Sequence, residues 1–128
     1  MIPRVTAFAS NCPDGCPPQE AGEVAGTVIR FVRNDPPTPT DMHTYADSGK
    51  PADDACLACA LSVLRRLDDV PTARKAMPWF KKRLVARAEL TPAHGRLLQT
   101  GAHAWHFSLW VASTQASTIH QQFSVVPA

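Results

Sequence analysis

The sequence predicts an α+β fold: a single small domain over residues 1–128, with a mostly antiparallel sheet and two or three short helices. Three observations predict it. Apolar runs of strand type lie early and late in the chain, and helix signals are confined to its middle. Twelve prolines against six glycines then cut the chain into short elements with stiff connections. The 128 residues are one domain's worth, and 45% apolar against 19% charged residues is a globular composition. No apolar run reaches the roughly 18 residues of a membrane span, so no membrane association is expected. Arg4 is soon followed by Ser10, Asn11 and Asp14, which is not the pattern of an export signal, so the expected compartment is the cytoplasm.

Residues 1–25 read as a Pro- and Cys-rich loop, because Pro13, Pro17 and Pro18 exclude a regular helix or a central strand. Residues 26–128 form the α+β core. Gly26 to Arg33 is a β-branched and aromatic run, hence a strand, with Val28, Arg30 and Val32 on one face. Asn34 to Asp41 ends it, since three prolines remove donors and hold their predecessors extended. Thr40 or Asp41 can cap a short helix through Ala46, which Gly49 and Pro51 terminate. Residues 53–69 admit two readings. One is a single helix starting at Asp53 and Asp54, with Leu57, Leu61 and Leu64 at helical spacing. The other breaks near Ala60 and makes Leu61–Leu64 a buried strand. Pro71 starts a further helix through Met77, which Pro78 stops. Leu84 to Leu90 alternates as a strand, and Arg96–Thr100 with His103–Ser113 forms a hairpin about Gly101-Ala102.

The four cysteines come in two pairs, Cys12-Pro-Asp-Gly-Cys16 and Cys56-Leu-Ala-Cys59. In a reducing compartment such pairs more often hold metal than form disulfides. The Pro-Asp-Gly turn and the C-x-x-C spacing both suit ligand knuckles, so all four thiolates are expected to converge on one tetrahedral structural zinc. The other reading makes Cys56 and Cys59 buried free thiols in an Ala/Leu-rich stretch.

Charge is segregated. Residues 1–64 carry a net −4 and residues 65–128 a net +6, with all nine bases of the second half between Arg65 and Arg96. Clustered bases can neutralise phosphates, so at most weak, salt-sensitive and non-specific nucleic-acid contact is expected through Arg65–Arg96. The alternative is an ordinary solvated face. Residues 97–128 hold no charged residue, which fits either central strands or a surface for a protein partner or self-association.

The segment His103-Ala-Trp-His-Phe-Ser-Leu-Trp110 is the most chemical in character. On a strand, His106, Ser108 and Trp110 share a face, and the expectation is that Trp110 fills the core and His106 packs beside it on a hydrogen bond. His106-x-Ser108 also resembles half the motif of the 2H phosphoesterases; His43-Thr44-Tyr45, the other candidate half, lacks the second hydroxyl.

Taken together, Asn34-x-Pro-Pro-Thr-x-x-Asp41, Leu61-Ser-Val63 and His106-Phe-Ser-Leu-Trp110 resemble a set of small uncharacterised bacterial proteins with the pattern N-x-P-P-T-x-x-D, L-S-V, H-x-T/S-x-W. An arginine on the first strand and a serine on a later one are also similar in outline to ADP-ribosyltransferase folds. That resemblance implies that Arg30 binds dinucleotide phosphates and Ser62 braces a nicotinamide pocket. Those enzymes commonly use a late-strand Glu, and residues 90–128 contain none. Two functions follow as expectations. One is a cytoplasmic accessory or regulatory protein, zinc-stabilised, that binds a macromolecular partner. The other is a nucleotide-processing enzyme using Arg30, Ser62 and His106. If those three line one cleft, the second is favoured.

Overall fold

The computed structural model describes residues 7–127; Arg4, with the rest of residues 1–6, and Ala128 lie outside the described residues. Among the described residues are seven strands: β1 (Gly22–Glu23), β2 (Gly26–Val32), β3 (Leu61–Val63), β4 (Leu84–Leu90), β5 (Gly95–Gln99), β6 (Phe107–Val111) and β7 (Ser124–Val125). All pair antiparallel, in a four-stranded sheet ordered β1-β5-β6-β3 and a three-stranded sheet ordered β2-β4-β7. The helices α1 (Ala55–Ala58) and α2 (Val70–Ala76) are short, so the α+β class expected from the sequence holds.

The two sheets face each other across the main core. On β4 the side chains of Ala86, Ala88 and Leu90 point inward while Arg87 and Glu89 are exposed, and Val28 and Val32 of β2 join them. Leu61, Val63, Leu97 and Leu109 close the core from the other sheet. At one edge the sheets touch. Ile29 and Leu64 exchange two backbone hydrogen bonds of 2.7 Å, which brings the middle of β2 beside the end of β3. A second core, under α2, collects Ile29, Leu64, Val70, Ala73 and Trp105.

The break near Ala60 is the correct reading of residues 53–69. Asp54 caps α1 by accepting from the Leu57 N–H at 3.0 Å, and the helix lasts one turn. Leu61 and Val63 then pair with Leu109 and Phe107, and the main core buries both. Tertiary pairing overrides a leucine spacing that is helical in isolation. The helix expected up to Ala46 is instead two 3₁₀ turns, Pro39–Met42 and Ala46–Ser48, closed by Gly49 at φ 76°. The strand expected from His103 begins only at Phe107, because residues 100–106 form a wide hairpin loop. Two-residue strands β1 and β7 were not expected, and β1 lies within the span read as loop.

The chargeless C-terminal stretch has a structural cause. It supplies β6 and most of β5, the two central strands of their sheet, with Ser108, Leu109 and Trp110 buried. Much of the basic segment is also committed internally. Arg65 donates to the Thr27 and Ala25 carbonyls, Arg74 to those of Phe80 and Arg83, and buried Arg96 to those of Pro18, Gln19 and Ala21. Arg66 and Arg87 sit in exposed ion pairs with Asp68 and Glu89. Among the described residues, no helix is long and apolar enough to cross a membrane.

Candidate functional site: a cleft between the two sheets

Arg30, Ser62 and His106, distant in sequence, line one cleft of about 400 Å³ where β2 and β3 splay apart beside β6. Ser62 is the middle residue of a three-residue strand, and both its neighbours are anchored in the core. Its side chain therefore points away from the core, toward the open side. His106 stands one residue before β6, where the hairpin loop joins the strand. The expectation that it packs away is not met. Trp110 does fill a core, around Ala21, Cys59 and Ala60, but His106 stays half-buried on the cleft wall. The reason is local: the alternation that would tie His106 to the face of Trp110 starts only after it.

Ser62 Oγ lies 3.1 Å from His106 Nε2, and His106 Nδ1 lies 3.1 Å from the Thr100 carbonyl oxygen. A carbonyl only accepts, so the neutral ring places its proton on Nδ1 and leaves Nε2 as an acceptor. The Ser62 hydroxyl then donates to Nε2. That is the arrangement of a hydroxyl beside its general base, with a third group holding the base in orientation. Thr100 Oγ1 adds contacts to His106 Nδ1 at 3.2 Å and to Ser108 Oγ at 2.7 Å, which fixes the loop carrying Thr100 to β6.

Arg30 is held from three directions. Nε donates to the Asp41 carbonyl at 2.9 Å, and the terminal nitrogens donate to the carbonyls of Ser62 at 2.8 Å and His43 at 3.3 Å. Burial lowers its pKa to about 10, partly offset by the charge of Asp41, so it remains cationic at neutral pH. The guanidinium thus ties β2, β3 and the 41–43 turn together and sets a fixed positive charge in the cleft.

The Asn34–Asp41 motif builds the turn that receives Arg30. The Asp41 carboxylate accepts from the backbone N–H groups of Arg33 (2.7 Å) and Thr38 (2.8 Å) and from the Asn34 amide (3.1 Å). Burial pushes the Asp41 carboxyl up, but these bonds outweigh it and hold the group below the ordinary carboxylate range. A carboxyl with a depressed folded-state pKa adds stability that is full above its unfolded value of about 3.9 and is lost as pH falls through the lower folded value. Replacing Asp41 by Asn should therefore cost about 1–3 kcal/mol at pH 7 and much less at pH 2–3. Denaturant unfolding of both proteins at the two pH values checks this.

The cleft walls are aromatic. Phe31 and Phe80 stack at 4.2 Å between ring centroids, Trp105 meets His106 edge-on at 5.9 Å, and Trp79 and Tyr45 are 59% and 52% exposed at the rim. Among the described residues, no Asp or Glu lines it. Trp79, Phe80 and Thr100 escaped sequence reasoning as site residues, whereas His43 and Tyr45 entered it only as a half-motif lacking its Ser or Thr. Of the first three, only Trp79 after Pro78 carried a signal, as a large apolar residue in a run of bases that no helix or strand would bury.

The four cysteines converge as expected, but as two disulfides, Cys12–Cys59 and Cys16–Cys56, where the sequence pointed to four thiolates for a zinc: the pairing crosses the two local C-x-x-x-C and C-x-x-C turns, joining each cysteine to one from the other turn. The sulfurs of Cys16 and Cys59 are 3.7 Å apart, and those of Cys12, Cys16 and Cys59 all lie within 4.8 Å of one another, close enough to share a metal. The alternative of buried free thiols does not hold, since no cysteine is free. The cluster pins the N-terminal loop to α1, which contributes Leu57 to the cleft, and to Ala60 just before β3. Comparison with family models, curated proteins and solved structures finds no match, so the site is read from its own geometry.

Proposed function

We propose that this protein is a nucleotide-processing enzyme, with His106 as general base, Ser62 as the hydroxyl it activates and Arg30 as the cation facing the phosphate. The observation that carries the reading is the 3.1 Å contact between Ser62 Oγ and His106 Nε2 in the cleft that also holds Arg30. In this mechanism Nε2 takes the hydroxyl proton as Ser62 Oγ attacks the phosphorus and the bond to the leaving oxygen breaks, and returns it to that oxygen; Nε2 then takes a proton from a water that attacks the phosphoserine, and returns it to Ser62 Oγ as phosphate leaves. The Thr100 carbonyl stabilises the imidazolium between those events. Arg30 supports the charge that builds on the phosphoryl oxygens. The aromatic walls suit a nucleobase or a similar planar ring, and a volume of about 400 Å³ is of ligand-site size. The sequence resemblance to ADP-ribosyltransferases would likewise give Arg30 the phosphates and Ser62 a place in the pocket. The lack of a lining carboxylate argues against their usual transfer chemistry and for attack at a phosphoester.

The zinc belongs to this proposal as a structural element. In a reducing cytoplasm the disulfides open to thiols; the clustered sulfurs of Cys12, Cys16 and Cys59 are a soft donor set that suits zinc, Cys56 being the fourth ligand proposed, and a metal there would tie the N-terminal loop as the disulfides do. Exposed Tyr45, Leu57 and Trp79 at the rim would equally suit a groove for a macromolecular partner, but a partner groove has no use for an aligned hydroxyl and imidazole. The test is product analysis after incubation with a panel of nucleoside phosphates, cyclic phosphates and dinucleotides. Turnover of at least one is expected, and Ser62→Ala should abolish it with the melting curve unchanged. A folded protein that turns over none of them, or a Ser62→Ala variant that remains fully active, contradicts the proposal.

A further inference from the structure

A second depression adjoins the cleft. It shares Arg30, Phe31 and His43 with the cleft and adds Arg33, Thr40, Asp41 and Arg83, enclosing about 420 Å³. Arg33 and Arg83 flank the Val32↔Leu84 pair one position beyond the end of the β2–β4 ladder, so continued register sets them opposite each other. Like charges so placed repel unless something neutralises them. Asp41 does not serve. Its carboxylate oxygens are engaged by Arg33 N–H, Thr38 and Asn34, and among the described residues neither the Arg33 nor the Arg83 side chain makes an ion pair or hydrogen bond. Three guanidinium groups against one carboxylate leave the depression net positive, and Arg30 stands on the boundary between it and the cleft.

We propose that this depression is a second phosphoryl subsite, so that the substrate is a nucleotide with a further phosphate beyond the one at Ser62. This deepens the nucleotide reading and rests on it. Arg33 and Arg83 bind the outer phosphate, Arg30 lies between the two phosphates, and the ring sits against the aromatic walls. The outer phosphate can belong to a diphosphate chain or to a second position on the ribose. Both present the same dianionic group to the arginines, and the probes below separate them.

The experiment measures the affinity of AMP, ADP, adenosine 3′,5′-bisphosphate and inorganic pyrophosphate by calorimetry, for the wild type and for the Arg33→Gln/Arg83→Gln double variant. Folding of the variant is checked by its melting curve, which should be unchanged or raised because a repulsion is removed. The wild type is expected to bind ADP or the bisphosphate about tenfold or more tightly than AMP, and the double variant should lose that preference while AMP affinity stays the same. Whichever of the two shows the preference identifies the source of the outer phosphate. Equal binding of AMP and both two-phosphate ligands by the wild type overturns the subsite and leaves the nucleotide reading in place. A preference that survives the double substitution does the same. If pyrophosphate binds through Arg33 and Arg83 while no nucleotide binds, the subsite stands and the nucleotide reading fails.

Discussion

His106→Ala should reduce turnover of the responsive nucleotide by about 10²–10⁴-fold, the usual contribution of a positioned general base. The loss should appear in kcat more than in KM, since the proposed role of His106 is to move a proton, while the aromatic walls are the surface proposed to hold the ligand's ring. Added imidazole should restore part of the activity to His106→Ala and none to Ser62→Ala, because a small base can refill the vacated wall but cannot supply the missing hydroxyl. Stability should fall only slightly, as His106 is half-buried and exchanges its bonds to Ser62 and Thr100 for bonds to water. Equal loss of kcat and melting temperature, with no rescue, would make His106 a structural residue.

The largest stability effect should come from the sulfur cluster. The two disulfides close loops of 47 and 40 residues, and constraint of the unfolded chain on that scale is worth about 4 kcal/mol for either one alone. The loops overlap, so both together should give less than twice that. Cys12→Ser/Cys16→Ser removes both links and should lower the melting temperature sharply, as should a reductant added to the oxidised protein. The same melts separate cross-link from metal. A disulfide-linked protein is sensitive to reductant and indifferent to a chelator. A zinc-linked protein purified under reduction shows the reverse, with about one zinc per chain by metal analysis.

Much of this architecture was legible because it rests on local chemistry. Leu84–Leu90 alternates, its flanking residues break the strand, and its boundaries match the structure. Pro71 and Pro78 bracket α2 as their missing donors require. The convergence of the cysteines was legible from spacing, but their pairing across 47 and 40 residues was not, since sequence alone does not fix connectivity. Residues 53–69 were ambiguous because the decision belongs to β6, which pairs with Leu61–Val63 from more than 40 residues away. The site divided in the same way. Ser62 and His106 carried signals in short motifs and Arg30 as a charge on an apolar strand, whereas Thr100 acts through its backbone carbonyl, which any residue could supply. The role of Asp41 was hidden too: its carboxylate braces the turn whose carbonyls hold Arg30, a contact visible only in three dimensions.

The proposed chemistry turns on one short contact, between Ser62 Oγ and His106 Nε2 in the cleft. The direct measurement is nitrogen-15 NMR of the His106 ring in the free protein and during titration with AMP, alongside the indole signals of Trp79 and Trp105. The expected result is a ring protonated at Nδ1 with a bare Nε2, a change in that pattern in Ser62→Ala, and perturbation of His106 and both tryptophans as AMP is added. A ring protonated at Nε2, or a bound nucleotide that leaves His106 and the two indoles undisturbed, would contradict it.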